Sequence, residues 1–301
     1  MIEMRARDNL RQPPTVSTIA PPLHQRPDRH HEAASVFAVT SGKGGVGKTN
    51  VVANLATALA LKKKRVLVID GDLGLANLDL FLGVKPVRTL EDFFAGTASL
   101  SEVIIANRDG VLLLPGASGV QALTALSSAQ KILLLTELDL MTQKVDLVLI
   151  DTGSGISDAV TYFTTAAQQI IVVVTAELPS LTNAYALIEV LVAGHREKRF
   201  SILANNVVDG VEALHLFETL SSAALRFLNA SLDFLGWIPR DPQLLRAVAQ
   251  SRTVVSMAVD APSSRAFILL ADQFVDMAHR IKVKGNVQFF FRGFLEAGKN
   301  Q

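Results

Sequence analysis

The segment Ser41-Gly42-Lys43-Gly44-Gly45-Val46-Gly47-Lys48-Thr49 limits what this chain can become more than any other. It follows a short β-branched and aromatic run at 36–40 and precedes an Ala- and Leu-rich stretch with helical periodicity. Four glycines let the backbone turn tightly and aim its N–H groups at an anion. The start of the following helix adds its positive end. The pattern G-x-x-x-x-G-K-[ST] between a strand and a helix therefore points to a bound polyphosphate. Lys48 would bring a point charge to the phosphates, and the Thr49 hydroxyl would ligate Mg²⁺. The loop makes ATP and Mg²⁺ the expected cofactors.

The rest of the chain repeats the strand–helix alternation. Apolar, β-branched runs at 36–40, 65–70, 110–115, 145–151, 169–175 and 200–205 read as buried strands. Helical patterns lie at 50–62, 117–142, 158–167, 182–197, 211–229 and 265–281. This order predicts an α/β fold, a doubly wound and mostly parallel sheet with helices on both faces. Hydrophobic residues make up 49% of the 301 and charged ones 19%, enough for a large core. The net charge of +1 offers no global field for wrapping nucleic acid. The lack of Cys excludes disulfides, zinc–thiolate sites, iron–sulfur clusters and Cys nucleophiles. Stretches 110–130 and 159–176 avoid charge, but Pro, Gly, Gln and Thr interrupt them, so neither reads as a membrane span. Residues 1–34 read as a basic, Pro-rich tail without the apolar run of a secretory signal, 35–281 as the folded domain and 282–301 as a separate segment.

Two apolar strands end on carboxylates. The run at 65–70 leads into Asp70-Gly71-Asp72-Leu73-Gly74-Leu75-Ala76-Asn77-Leu78-Asp79, and the run at 145–151 ends on Asp151. Open α/β sheets bind ligands at such strand ends. Asp151 closing an apolar strand suits the outer shell of Mg²⁺, which keeps several waters.

The phosphate loop carries a second lysine, Lys43. Its K-G-G-x-G-K-T pattern resembles the deviant Walker A motif of the MinD/ParA ATPase superfamily, as does D-x-D-x-G-x-x-N-L-D at 70–79. The resemblance implies slow ATP hydrolysis and a homodimer in the ATP state. By that resemblance Lys43 reaches the partner's nucleotide, Asp72 activates the attacking water, and Asp70 supports Mg²⁺ through water. Asn205 would contact adenine, with Pro239 and Asp241 bordering the base. Within the superfamily, 71–86, Asp151-Thr152-Gly153-Ser154-Gly155-Ile156-Ser157 and 285–292 resemble the FlhG/FleN branch, which regulates flagellar number and placement. That branch implies partners such as an FlhF-like GTPase, a flagellar transcription factor or a switch protein. Where it often begins with D-Q-A-x-x-L-R, this chain keeps only Leu10 and Arg11, with Arg5-Ala6-Arg7 ahead of them. A MinD-like division-site regulator and a ParA-like DNA-partition ATPase are the alternatives.

Near the C-terminus, Val287, Phe290, Phe291, Phe294 and Leu295 share one face of a helical wheel, flanked by Lys282, Lys284 and Lys299. Such a helix can lie in an anionic membrane surface or dock on its own domain. The first reading implies a cytoplasmic protein, reversibly peripheral on the inner face of the cell membrane.

Overall fold

The computed structural model describes residues 34–72, 76–116 and 144–280, with single positions between 129 and 138. Eight strands form one sheet in the order β3-β4-β2-β5-β1-β6-β7-β8. They are β1 (Ser35–Ser41), β2 (Val66–Gly71), β3 (Ile105–Ala106), β4 (Leu112–Leu114), β5 (Leu147–Ser154), β6 (Gln169–Val174), β7 (Arg199–Val207) and β8 (Ser231–Pro239). Every pairing is parallel except that of β3 with β4. The doubly wound, mostly parallel sheet read from the sequence is present.

The central strands are buried on both faces, as their unbroken apolar runs require. Phe37 and Val39 of β1, with Leu147 and Leu149 of β5, join one core cluster. Their neighbours Ala38, Val148 and Ile150 join another on the opposite face. Helix α1 (Lys48–Leu61) covers the first face, with α10 (Pro262–Arg280) beside it. Phe37 and Phe274 meet there with ring centroids 4.6 Å apart. On the other face, α5 (Asp158–Thr165), α6 (Leu178–His195) and α7 (Gly210–Leu228) pack over β6 and β7. Between β2 and β3 lie three short helices, α2 (Leu78–Leu82), α3 (Leu90–Phe94) and α4 (Leu100–Val103).

Several boundaries differ from the sequence reading. Helix α1 starts two residues earlier, at Lys48, because Gly47 turns into it with a left-handed φ of 88°. Helix α6 starts at Leu178, with Pro in its first turn, where proline lacks no needed donor. The run at 110–115 yields only three strand residues, Leu112–Leu114. Strand β8 was not expected at all. Helices α8 (Pro242–Ala249) and α9 (Val254–Met257) also lie in sequence left unassigned. The expected helix at 117–142 falls almost wholly outside the described residues, as do 1–33 and 281–301. Among the described residues, no helix is long and apolar enough to cross a membrane.

Candidate functional site

The loop Gly42–Gly47 joins the C-terminal end of β1 to α1, so it lies at the sheet edge where the parallel strands finish. Its shape is held by several local bonds. Ser41 Oγ donates to the Lys43 carbonyl at 2.7 Å, and the Gly155 amide donates to the Ser41 carbonyl at 3.0 Å. Gly45 and Gly47 have φ of 81° and 88°, a region that Cβ-bearing residues rarely adopt. Gly42 serves a different purpose: a Cβ there would stand 2.0 Å from the Asn183 carbonyl oxygen of α6. The loop is thus pressed against a helix backbone. Gly44 faces the Ser154 hydroxyl, 3.4 Å from where its Cβ would be.

Helix α1 begins with no capping side chain and no acidic residue in its first turn. Its first N–H groups are left to an external acceptor, the arrangement that favours an anion. Lys48, in that first turn, is buried. Burial pushes its ammonium below the ordinary range, while the charges of Asp151 and Asp72 work against that shift.

Asp70 and Asp151 are register partners on adjacent strands β2 and β5. Both are buried. Burial raises the Asp151 carboxyl to about 7, and Asp70 next to it adds to the rise. Lys48 and a hydrogen bond with the Thr49 side chain pull the other way. Burial also raises Asp70 to about 6, against the bonds it accepts from the Leu78 and Asp72 amides, each at 3.2 Å. Asp70 thereby also anchors the start of α2, a structural task that the sequence did not disclose. Asp72 lies half-buried, its carboxylate about the Gly153 position of the strand beside it.

One oxygen of Asp151, Oδ1, is buried with no hydrogen-bond partner. A buried, unpartnered carboxylate oxygen costs free energy unless a cation or donor meets it. Together with the Thr49 hydroxyl this donor set fits Mg²⁺, a hard cation that takes oxygen ligands and retains waters. Among the described residues there is no group of three or more His, Asp or Glu that could cage a metal unaided. A hydroxyl and so few carboxylates would leave most positions of such an ion to water and phosphate.

Two of the residues expected to border the base make bonds within the chain. Asn205 is buried, and its amide donates to the Val46 carbonyl of the phosphate loop at 2.7 Å. The bulge after it puts Asn206 at φ 57° and turns it to solvent. Asp241 caps α8 through the Gln243 amide and accepts from the Ser263 amide and hydroxyl, at 3.1 and 2.6 Å. Burial raises its pKa, but the Ser263 and Gln243 bonds outweigh this and hold the carboxyl below its ordinary value. Pro239, half-buried, ends β8 just ahead of it. The edge thus gathers the phosphate loop, Asp70, Asp72, Asp151, Asn205, Pro239 and Asp241.

Lys43 is paired with Glu177 of its own chain, at the start of α6. The sequence reading did not single out Glu177. Its one signal was position: an acidic residue just past the end of a buried strand, on the ligand-binding edge.

The CobQ/CobB/MinD/ParA nucleotide binding domain family matches over residues 37–254, from the first strand through the start of α9. The chain belongs to that family. Antiactivator FleN of Pseudomonas aeruginosa is 40% identical over 255 residues, covering 85% of this chain and 91% of its own length. Flagellum site-determining protein YlxH of Helicobacter pylori is 32% identical over 261 residues, 85% of this chain and 88% of its own. Among solved structures, the septum site-determining protein MinD of Pyrococcus horikoshii, complexed with Mg-ADP, is 27% identical at a TM-score of 0.66. It is covered over its whole length, by 83% of this chain. The chain therefore carries a MinD-type nucleotide-binding domain.

Proposed function

We propose that this chain is an ATP-dependent, dimerising switch that hydrolyses ATP slowly and regulates flagellar number or placement at the membrane. The observation that carries the proposal is the convergence of Lys48, Thr49, Asp72 and the unpartnered Asp151 oxygen around the uncapped start of α1. The flagellar names of two relatives direct it toward that process.

Each residue then has a distinct task. The loop amides and Lys48 hold the β- and γ-phosphates. Thr49 would hold Mg²⁺ directly, and Asp70 and Asp151 would support it through water. Mg²⁺, when bound, neutralises charge on the phosphate oxygens. Asp72 orients the water for in-line attack; no His or Cys stands in the loop to serve as base. Asn205, Pro239 and Asp241 border the base. Lys43 must leave Glu177 to reach the nucleotide of a second subunit. Both partners of that pair are partly exposed, 34% and 59%, so parting them costs little, on the order of 1 kcal/mol or less. The ATP-bound dimer then reaches the cytoplasmic membrane surface and a protein partner: an FlhF-like GTPase, a flagellar transcription factor or a switch protein. The Phe-rich segment assigned to the membrane, 287–295, lies outside the described residues.

Two lysine variants test this reading. Lys48→Ala should lose ATP binding in titration calorimetry. Lys43→Ala should still bind ATP yet stay monomeric in size-exclusion chromatography with light scattering. A Lys43→Ala variant that dimerises with ATP as the wild type does would remove the cross-subunit role.

A further inference from the structure

Residues 152–157, from the end of β5 to the start of α5, carry three hydroxyls, on Thr152, Ser154 and Ser157. Two of them are engaged. Thr152 Oγ1 donates to the Gly153 carbonyl at 2.8 Å and lies 3.2 Å from the Val39 carbonyl. Ser157 Oγ accepts from the Val160 amide at 3.4 Å and caps α5. Ser154 differs from both. It is exposed, and its hydroxyl has no hydrogen-bond partner among the described residues. That leaves one donor and two lone pairs uncommitted.

The backbone holds this hydroxyl against the phosphate loop. Ser154 is the register partner of Ser41 on β1, and the next amide, that of Gly155, donates to the Ser41 carbonyl at 3.0 Å. Ser154 Oγ stands 3.4 Å from the point where a Cβ on Gly44 would lie. The residue before it, Gly153, stands beside Asp72: a Cβ there would be 3.6 Å from Asp72 Oδ1. Two consecutive residues thus lie against the phosphate loop and against the carboxylate assigned to the attacking water.

The strand order shows which end of a nucleotide would reach them. In the run β2-β5-β1-β6-β7 the phosphate loop follows the middle strand, β1. Asn205, on β7, meets the loop through the Val46 carbonyl. Asp70 and Asp72 lie at the end of β2, and Asp151 lies on β5, both on the other side of β1. A nucleotide with its base toward Asn205 therefore runs its phosphates toward β5 and β2, where Ser154 stands. Ionised, Asp70, Asp72 and Asp151 are acceptors only. A terminal phosphate brings charged oxygens to this end and needs donors. Ser154 is an uncommitted one.

We propose that the Ser154 hydroxyl donates to the terminal phosphate of ATP and thereby makes the site prefer ATP over ADP. This assignment rests on the ATP reading above and adds to it a residue that tells the two nucleotides apart. Once the terminal phosphate departs, the hydroxyl loses its acceptor. Residues 152–157 are then tied to the loop by the Gly155 amide and the strand pairing alone, so the segment is held differently in the two nucleotide states.

The test compares the full chain's affinity, with Mg²⁺, for ADP and for a non-hydrolysable ATP analogue, AMP-PNP, by titration calorimetry. A hydrogen bond to a charged oxygen is worth about tenfold or more in affinity. Ser154→Ala should therefore weaken AMP-PNP about tenfold and leave ADP unchanged, and unchanged ADP binding shows that the variant is folded. Should it not fold, Ser154→Gly carries the same expectation. Ser154→Thr keeps the hydroxyl and should keep the wild-type preference. Repeating the comparison in Lys43→Ala removes any contribution of dimerisation, and the tenfold loss should persist there. Equal AMP-PNP affinity in wild type and Ser154→Ala would overturn the proposal and leave the ATP reading standing. So would a loss that vanishes in Lys43→Ala, or one that falls equally on ADP. Slower phosphate release at unchanged AMP-PNP affinity would put the hydroxyl on Asp72 or the water instead. A wild type that binds neither nucleotide would sink both readings.

Discussion

Replacing Gly42 by Ala puts a methyl group where the backbone of α6 already stands. The added Cβ would lie 2.0 Å from the Asn183 oxygen, 2.1 Å from its carbon and 2.5 Å from the Ala184 nitrogen. Ordinary contact begins at 3.4 Å, so the gap must open by about 1.4 Å. Helix α6 cannot retreat: Ala184, Leu187, Ile188 and Leu191 are fully buried in the core beneath it. The phosphate loop must move instead. Overpacking of this kind costs about 1–3 kcal/mol in stability. A displacement of about 1 Å in a positioning loop costs roughly a hundredfold in function. Gly42→Ala should therefore lower the unfolding midpoint and weaken ATP about a hundredfold in a fluorescent-nucleotide titration. Gly44→Ala is the control, since its Cβ would meet only the Ser154 hydroxyl at 3.4 Å and no positive φ is involved. Wild-type affinity and unfolding midpoint in Gly42→Ala would show that the loop does not press on α6, and the reasoning would be wrong.

Three further outcomes are expected. Asp72→Ala should bind ATP and dimerise but release phosphate far more slowly in a coupled phosphate assay, because the water loses its orienting carboxylate. Phe274→Ala should cost about 3–5 kcal/mol in urea unfolding, since the ring is fully buried against Phe37. Asp241→Asn should destabilise at neutral pH and lose its effect in acid. The native carboxyl lies below its ordinary value, so its contribution is present above about pH 4 and disappears as pH falls through the native value. A gap between wild type and variant that stays constant from pH 7 to pH 3 would count against this.

What could be read from sequence follows from which interactions are local. The buried strands were legible because both faces are covered and their residues are apolar without interruption. Strand β8 was not legible for the opposite reason. It is an edge strand whose buried residues Leu232, Leu235 and Ile238 fall at every third position, so it shows neither an unbroken apolar run nor strict alternation, and Gly236 and Pro239 interrupt it further. The phosphate loop was legible because nine consecutive residues carry it. The pairing of Lys43 with Glu177 spans 134 positions, and that of Asp241 with Ser263 joins two helices. No periodicity reports such contacts. That Asn206 turns outward beside the buried Asn205 depends on the bulge at Asn206, a backbone event without a sequence marker here.

The uncapped start of α1, the desolvated Lys48 and the lone Asp151 oxygen all raise the free energy of the folded chain. A ligand that satisfies all three binds the folded form and has no counterpart site on the unfolded one. By mass action, nucleotide at a hundred times its dissociation constant adds about 2.7 kcal/mol to stability. That is a sizeable share of the total for a domain whose folding free energy is about 5–15 kcal/mol. If the chain acts as proposed, its stability follows the nucleotide pool: when ATP and ADP are scarce the unfolded fraction rises, and proteolysis would lower the amount of protein along with its activity.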